Sequence, residues 1–259
     1  MQILPIQNIR TSNENFKANR RLVFDKSGQE LYKTTTYYFR EDIDWHGIVQ
    51  YLCGKFKNTE HVNFINHACS NGMEPLSFIM SFLINFPDKI DKFTPILAKD
   101  IDYDNIEAAK RGQCGVSSED FLRICNHTKY RRNEFLEIKP SAGRENLFVM
   151  SPKKILTDRV IFQQGDIFED VKNMPEENTF LSCRNFWCYL DKNKQEELAY
   201  LLGRHLKGNS TILIGYLDTE DAQNYNGNYA NADKLLERNG FKRCQTGSKF
   251  LNIMYSKTD

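Results

Sequence analysis

Apolar and polar residues along this chain form alternating blocks that predict strands and helices in turn. Apolar runs of about four to eight residues are typical of buried strands, and longer stretches with apolar residues at helical spacing are typical of helices. The predicted strands span residues 61–68, 94–99, 159–163, 179–183 and 211–217. The predicted helices span residues 44–56, 74–86, 105–111, 192–205 and 232–238. This order indicates an α/β fold with a mostly parallel sheet and helices on both of its faces.

Two segments depart from this alternation in the second half of the chain. Residues 113–158 form a charged insertion, which contains a candidate hairpin of residues 135–138 with residues 147–150. Residues 241–244 and 250–255 resemble a second hairpin, which would add an antiparallel strand at the C-terminal end. We therefore expect one sheet that is interrupted by an inserted unit.

The first 33 residues are polar and weakly periodic, so we expect a short helix and a loop there. We divide the chain into a short N-terminal helical segment, residues 1–57, and a main domain, residues 58–259. Further along, Asp104 is the predicted N-cap of the helix that Gly112 ends.

Composition excludes several classes of function. The net charge of the 259 residues is +1, whereas a surface that binds duplex nucleic acid needs many cations, so we expect no nucleic-acid partner. The longest nearly apolar segment, residues 76–86, is too short to cross a bilayer, so we expect no membrane insertion. The first five residues lack the basic start and long apolar stretch of a secretory signal, which favours a cytoplasmic location.

The metal-ligating residue types are scattered. The seven cysteines contain no Cys-x-x-Cys pair, and the five histidines show no His-Glu-x-x-His spacing. We therefore expect reduced thiols and no metal site. Most of the histidines are expected to lie on the surface or to pack inside, and His67 stands out because it ends a strand.

Candidate chemistry begins at the ends of the first two predicted strands. The small residues between Ala68 and Gly72 would let a ligand approach the backbone closely, but the fingerprint Gly-x-Gly-x-x-Gly of dinucleotide sites is absent. Glu74 would repel a phosphate and would suit a cation, and Asp100 could accept hydrogen bonds from ribose hydroxyls. A nucleoside with a positive charge and no phosphate describes S-adenosylmethionine. The alternative is a capped helix turn beside a surface acid.

A third strand end carries more polar residues. The buried run Phe180–Cys183 stops at Arg184 and Asn185, and Tyr189 follows shortly afterwards. Ligands of open α/β sheets bind at the carboxyl ends of the strands. The alternative is a strand that ends in solvated polar residues.

Several segments, taken in order, resemble the signatures of CheR-type methyltransferases, which methylate glutamate side chains of bacterial chemoreceptors with S-adenosylmethionine. The segments are Thr-Tyr-Tyr-Phe-Arg-Glu (36–41), Cys-Ser-Asn-Gly-Met-Glu-Pro-Leu-Ser (69–77), Ala-Lys-Asp-Ile-Asp (98–102), Gln-Gly-Asp-Ile (164–167) and Cys-Arg-Asn-Phe-Trp-Cys-Tyr-Leu-Asp (183–191). The resemblance covers about residues 34–217. It implies a Rossmann-like class I methyltransferase fold with a seven-stranded sheet and a C-terminal antiparallel hairpin.

The resemblance also implies a set of site residues and assigns part of the cofactor site to the segment 1–57. The cofactor-binding residues would be Thr34, Thr36, Arg40, Ala68, Ser70, Glu74, Asp100, Asp166, Ile167, Arg184 and Asn185. Within this set, Asp100 would hold the ribose and Ile167 would flank the adenine. Arg40 and Tyr189 would be the catalytic pair, with Arg40 near the incoming carboxylate and Tyr189 near the transferred methyl group.

Two hypotheses of different classes follow. The first is a methyltransferase whose acceptor is a carboxylate or another nucleophile on a protein or a small molecule. The second is a non-catalytic module that binds S-adenosylmethionine or its product, or another protein, on the same fold. A nicotinamide oxidoreductase is disfavoured by the single glycine of the first turn.

Two expectations about partners accompany these hypotheses. Only residues 1–35 precede the Thr36 motif, so we expect most of the family's N-terminal helical domain to be missing. The insertion 113–158 is the candidate recognition surface, although the cations of residues 129–132 could equally form a solvated face.

Overall fold

The computed structural model describes residues 21–24, 30–34, 36–140, 147–220, 230–244 and 253–258. Their elements, in chain order, are β1 (Arg21–Phe24), β2 (Glu30–Thr34), α1 (Trp45–Lys55), β3 (Asn63–His67), α2 (Met73–Asn85), β4 (Ile96–Asp100), α3 (Tyr103–Arg111), β5 (Cys114–Ser117), α4 (Ser118–His127), α5 (Arg132–Phe135), β6 (Leu136–Pro140), β7 (Leu147–Pro152), α6 (Lys154–Thr157), β8 (Val160–Gln164), α7 (Ile167–Asp170), β9 (Thr179–Cys183), α8 (Lys192–His205), β10 (Thr211–Leu213), α9 (Ala232–Arg238), β11 (Phe241–Arg243) and β12 (Met254–Lys257). Short 3-10 helices lie at Ile90–Phe93, Val171–Asn173, Trp187–Tyr189 and Tyr216–Asp218.

The main sheet has seven strands in the order β11-β12-β10-β9-β3-β4-β8. Strand β12 runs antiparallel to both of its neighbours, and the other pairs are parallel. All five residues of β9 are buried, and because successive side chains point to opposite faces, both faces of the sheet are covered there. The predicted Rossmann-like α/β fold with a C-terminal antiparallel hairpin is confirmed.

The strand order reverses between β3 and β9. The chain proceeds from β3 through β4 to β8 on one side, and then returns to β9 and β10 on the other. In open α/β sheets, ligands bind in the crevice that such a reversal leaves at the carboxyl ends of the strands. The topology therefore places a ligand crevice beyond His67 and Cys183.

The insertion forms its own three-stranded antiparallel sheet, in the order β5-β7-β6. The predicted hairpin within it is confirmed, with Ile138 opposite Met150 in the pair of β6 and β7. Helix α4 packs beside this sheet, and Arg132 and Phe148 both contact the Phe121 ring of that helix. We call the residues 113–158 the inserted subdomain.

Three predictions about local structure were wrong. For residues 1–33 the prediction is wrong only where the structure describes them, because residues 21–24 and 30–33 belong to strands β1 and β2, which pair antiparallel. Residues 1–20 and 25–29 lie outside the described part, so the predicted helix and loop stay predictions there. Val23, Leu31 and Tyr32 favour strands, and pairing with a partner overrides weak periodicity. Asp102 rather than Asp104 caps α3, since its side chain accepts from the Asp104 N–H at 2.9 Å.

The third error concerns β10. This strand was predicted to continue to residue 217, but it ends at Leu213, and the chain then turns into the 3-10 helix Tyr216–Asp218. Within the described residues, no helix has both the length and the apolar character that a bilayer span requires.

Candidate functional site

The turn between β3 and α2 is held in an unusual backbone conformation. Ala68 and Ser70 have φ angles of 57° and 51°, and Gly72 has a φ of 85°. A Cβ on Gly72 would lie 2.7 Å from the Phe162 ring, so both the conformation and the space require glycine. Non-glycine residues at positive φ store strain, which is common at ligand sites. The turn thus places small residues and the first N–H groups of α2 at the crevice.

Asp100 ends β4 directly beside this turn. Its Oδ2 accepts from the Ser70 N–H at 2.7 Å, and its Oδ1 accepts from the Asp102 N–H at 2.9 Å and from the Asn105 side chain at 3.3 Å. Asp100 is 4% exposed, and this burial raises the pKa of its carboxyl group despite the three hydrogen bonds. A carboxylate has about four acceptor positions. Bonds from the described residues fill three of them, which leaves room for about one more.

The loop after β8 adjoins Asp100. The Gly165 N–H donates to the Asp100 carbonyl at 3.0 Å, and the Asp166 side chain caps α7 by accepting from the Phe168 N–H at 2.9 Å. Ile167 is buried in the first turn of that helix. The predicted pair Asp166 and Ile167 therefore lies next to Asp100, with the acid already engaged in a cap.

An ion-pair cluster that the sequence analysis did not assemble fixes this loop. Asp170 bonds to His67 Nε2 at 2.8 Å and to Lys99 Nζ at 2.6 Å, so it joins the ends of β3 and β4 to α7. Burial raises the pKa of Asp170, but the bonds from His67 and Lys99 outweigh it and lower the pKa overall. A Cβ on Gly165 would lie 2.3 Å from Asp170 Oδ2, so a larger residue there would displace the Asp170 carboxylate from this cluster. His67, noted in the sequence for its position, is a bonded member of this cluster.

Glu74 and Arg184 meet across the reversal point of the sheet. Glu74 Oε2 contacts Arg184 Nη1 at 2.6 Å, and Glu74 Oε1 accepts from Asn66 at 2.9 Å and from Ser182 at 2.8 Å. Asn66 and Ser182 are opposite each other in the parallel pair of β3 and β9. The sequence analysis missed both, although a polar residue near the end of a buried apolar run was a usable signal.

Arg184 also reaches the N-terminal motif. Its side chain is 0% exposed, and its Nη2 lies 2.8 Å from Asp42 Oδ2. Burial lowers the pKa of Arg184, but Glu74 and Asp42 raise it overall, and the pKa of Asp42 is lowered because Arg184 and Arg40 outweigh its burial. Asp42, which the sequence analysis also missed, links Arg184 to Arg40, with 3.4 Å between Asp42 Oδ1 and Arg40 Nε.

The Thr36 motif packs onto α2. The Phe39 N–H donates to the Ser77 hydroxyl at 3.0 Å, and Phe39 itself has a φ of 49°. The Arg40 carbonyl accepts from the Trp45 indole at 2.9 Å, and the Arg40 guanidinium lies 5.4 Å from the centre of the Tyr37 ring. The backbone of Arg40 is thus fixed by Trp45, and its guanidinium group lies beside the Tyr37 ring. Thr36 is half-buried. Thr34 is the last residue of β2, where its backbone pairs with that of Arg21 in β1.

Asn185 and Tyr189 follow β9 on one loop. Asn185 has a φ of 55°, and the Tyr189 N–H donates to the Phe186 carbonyl at 2.9 Å as the 3-10 helix closes. Asp42 contacts both Arg40 and Arg184, the residue before Asn185, so the segment of Arg40 is joined to the start of this loop. The predicted catalytic pair thus lies on two segments that approach each other.

Three buried amide oxygens at this edge, those of Asn66, Asn71 and Asn185, accept no hydrogen bond from the described residues. Buried acceptors in native proteins are nearly always satisfied, so each of these oxygens is a candidate acceptor for a ligand or a water molecule. S-adenosylmethionine offers donors on its ammonium group, its ribose and its adenine amino group. The residues present therefore fit this cofactor, which would be held by these oxygens together with Asp100.

Comparison with known proteins agrees with this description. The family described as "CheR methyltransferase, SAM binding domain" matches residues 34–233. The chain is 27% identical over 191 residues to a chemotaxis protein methyltransferase of Borreliella burgdorferi, and the match covers 71% of this chain and 64% of the relative. The chain thus spans less than two thirds of the length of this curated relative.

Two solved structures show weaker similarity. Magnesium protoporphyrin IX methyltransferase from Synechocystis PCC 6803 with bound SAH has a TM-score of 0.42 and 11% identity, with 87% of this chain and 89% of that chain covered. Human N-acetylserotonin methyltransferase in complex with SAM has a TM-score of 0.40 and 14% identity, with 80% and 49% covered. Scores below 0.5 support no conclusion about the site.

Proposed function

Because this chain belongs to the CheR methyltransferase family, we propose that it transfers a methyl group from S-adenosylmethionine to a carboxylate, such as a glutamate side chain of a protein. The observation that supports this most is the set of unsatisfied amide oxygens of Asn66, Asn71 and Asn185 at the carboxyl edge of the sheet. A cofactor rich in hydrogen-bond donors would satisfy them.

In this proposal the cofactor lies across the ends of β3, β4 and β9. The remaining acceptor position of Asp100 takes a ribose hydroxyl, and Ile167 supplies an apolar surface for the adenine. Glu74 pairs with Arg184 and also bonds to Asn66 and Ser182, so the pair keeps the ends of β3 and β9 in place, and both residues stay in the proposed cofactor-binding set. Ala68, Ser70 and Asp166 contribute the shape of their turns, and Thr34 and Thr36 stay in the proposed set.

The chain's own residues have a simple task in the reaction. The cofactor supplies an electrophilic methyl group on a sulfonium ion, and an acceptor carboxylate is already anionic, so no general base is needed. Arg40 orients the carboxylate, ideally in a two-pronged geometry, and the Tyr189 hydroxyl aligns it with the methyl group. Excluding water helps as well, because water stabilises both opposite charges before they combine.

The inserted subdomain is the proposed surface for acceptor recognition. Arg123 of α4 bonds to Glu41 at 3.2 Å, and its guanidinium lies 4.7 Å from the centre of the Tyr37 ring, on whose segment Arg40 also lies. Leu122 and Tyr130 of this subdomain are exposed. A partner bound there would be near the acceptor side of the site. A cytoplasmic location belongs to the same proposal, and all seven cysteines are free thiols.

The test has a binding part and a transfer part. Isothermal titration should show binding of S-adenosylmethionine and S-adenosylhomocysteine but not of NAD. Incubation of the protein with labelled cofactor and a cell lysate, followed by mass spectrometry, should then identify a methylated carboxylate. Binding without any transfer would support the non-catalytic alternative, and binding of NAD alone would contradict the proposed function.

The variant Tyr189→Phe separates the two roles. We expect methyl transfer to slow by about tenfold or more, which corresponds to the loss of about one hydrogen bond to a charged group. Affinity for S-adenosylhomocysteine should stay within about twofold, because the hydroxyl acts on the acceptor. An equal loss of rate and affinity would contradict the role given to Tyr189.

A further inference from the structure

The turn after β10 contains a carboxyl group that the proposed reaction does not use. Asp218 is 0% exposed and lies at the end of the 3-10 helix Tyr216–Asp218. Its Oδ2 accepts from the Asn185 N–H at 2.5 Å and from the Gly215 N–H at 2.8 Å, and its Oδ1 accepts from the Cys188 N–H at 3.4 Å. One carboxyl group therefore collects backbone donors from two separate loops.

These donors belong to the segments that shape the site. Asn185 and Cys188 lie on the loop after β9, which also carries Tyr189, and Gly215 is the second residue after β10. Asn185 is in the left-handed region, at a φ of 55°, which residues other than glycine adopt rarely and at a cost. An external bond to that N–H offsets part of the cost of the conformation.

Gly215 shows how close the two loops are. A Cβ at this position would lie 2.0 Å from Asn185 Oδ1 and 2.7 Å from the Asn185 backbone nitrogen. The loop after β9 therefore packs directly against the backbone of Gly215. The carboxyl group of Asp218 bonds to both loops at this contact. The amide oxygen of Asn185 packs against Gly215 at this contact, so the contact fixes the position of the Asn185 side chain.

We propose that Asp218 is a positioning residue for methyl transfer, because it fixes the loop with Asn185 and Tyr189 against the end of β10. This inference rests on the proposed function. Asp218 touches neither cofactor nor acceptor in it, and acts through the three backbone N–H groups. Its charged neighbour is Arg184, and the thiols of Cys183 and Cys188 also adjoin it.

The test compares Asp218→Ala with two other variants by titration with S-adenosylhomocysteine. Asp218→Ala should weaken binding by at least about tenfold, the factor that corresponds to about 1.4 kcal/mol. Asp218→Asn should stay within about threefold of the wild type, because its amide oxygen can still accept from Asn185 and Gly215. The control is Asp233→Ala, which removes another buried carboxyl that accepts a backbone N–H, from Glu220 at 3.0 Å. This control should lose stability but keep its affinity.

The outcomes separate the two proposals. A wild-type protein that does not bind S-adenosylhomocysteine contradicts the proposed function. Wild-type binding together with a folded Asp218→Ala variant of unchanged affinity overturns the positioning role alone. If Asp218→Ala does not fold, hydrogen exchange of the wild-type protein decides: the amides of Asn185, Cys188 and Gly215 should gain protection together when S-adenosylhomocysteine binds. Independent behaviour of these amides would overturn the inference.

Discussion

The crevice at the strand ends and the inserted subdomain both contain acid–base pairs, but in very different surroundings. In the crevice, the Arg184 side chain is 0% exposed between Glu74 and Asp42. In the subdomain, Arg131 and Glu134 form a two-bonded pair with their side chains 49% and 51% exposed. The chemistry of the two pairs is alike, and their access to water differs.

The difference shows which polar residues hold the site together. A buried pair has lost its water, so removing one partner leaves a charge with little compensation, whereas an exposed pair returns to water when it is broken. Ion pairs between the strand ends are therefore structural necessities. The exposed pair of Arg131 and Glu134 in the subdomain contributes little to the stability of the fold.

The largest expected effect is that of Glu74→Gln. It removes one of the two carboxylates that face buried Arg184 and leaves Asp42 as the other, so the free energy of unfolding should fall by about 3 kcal/mol, the low end for breaking a buried ion pair. Urea denaturation measures this, with Glu134→Gln in the subdomain as the matched control. Equal stability of the two variants would remove the contrast between the regions.

Gly215→Ala should have the next largest effect. The added methyl group would meet Asn185 Oδ1 at 2.0 Å, so the loop must shift, at a cost of about 1–3 kcal/mol and with weaker binding of S-adenosylhomocysteine. Gly54→Ala is the control, because its Cβ has nothing within 4 Å and it lies in α1, where alanine is favoured over glycine. The prediction fails if thermal unfolding and titration do not distinguish these two alanines.

A further effect concerns pH. Burial raises the pKa of Asp218 to about 7, against the opposing bonds from Gly215, Asn185 and Cys188 and the charge of Arg184. Its pKa in the unfolded chain is about 3.9, so the folded state binds more protons between these values, and stability should fall as the pH rises through that window. Urea denaturation at several pH values should show a flatter decline for Asp218→Asn than for the wild type. Parallel curves would contradict the raised pKa.

The smallest effect is expected for Arg131→Ala. Because this side chain is exposed, its removal should change neither the free energy of unfolding nor the affinity for S-adenosylhomocysteine noticeably. If the inserted subdomain reads the acceptor, transfer to a protein acceptor should slow, while the cofactor titration stays unchanged. A loss of cofactor affinity would show that the two regions are not as separate as their burial indicates.

Much of the fold was predictable because the signals are local. The apolar runs of β3, β4, β8 and β9 and the helical spacing of α2 and α8 are visible in consecutive residues. The exceptions have a common cause. Strands β1 and β2 exist because they pair, and β10 ends early where the Asp218 carboxyl group gathers the N–H groups of Gly215 and Asn185.

The residues of the site also separate into those with a local signal in the sequence and those whose role depends on a contact in the folded protein. Motif residues such as Arg40, Glu74 and Asp100 were predictable, because they stand at strand ends or in recognisable segments. Asp42, Ser182 and Asp218 were not, because each acts on a partner far away in the chain, as Asp218 does on Asn185, 33 positions earlier. Asn66 bonds to Glu74, which is only 8 positions later but lies beyond the turn between β3 and α2.

By itself, the sequence determined the order of strands and helices, the family of the domain and most of the side chains at the crevice, since these depend on spacing and on short motifs. Only the tertiary structure decided that Glu74 is bound by Arg184, that Asp100 has about one acceptor position left, and that one buried acid joins two loops. The physical reason is that hydrogen bonds and burial are properties of groups brought together by the sheet. The contacts between residues that are distant in the chain form only when strands β3, β9 and β10 lie side by side, so the sequence does not reveal them.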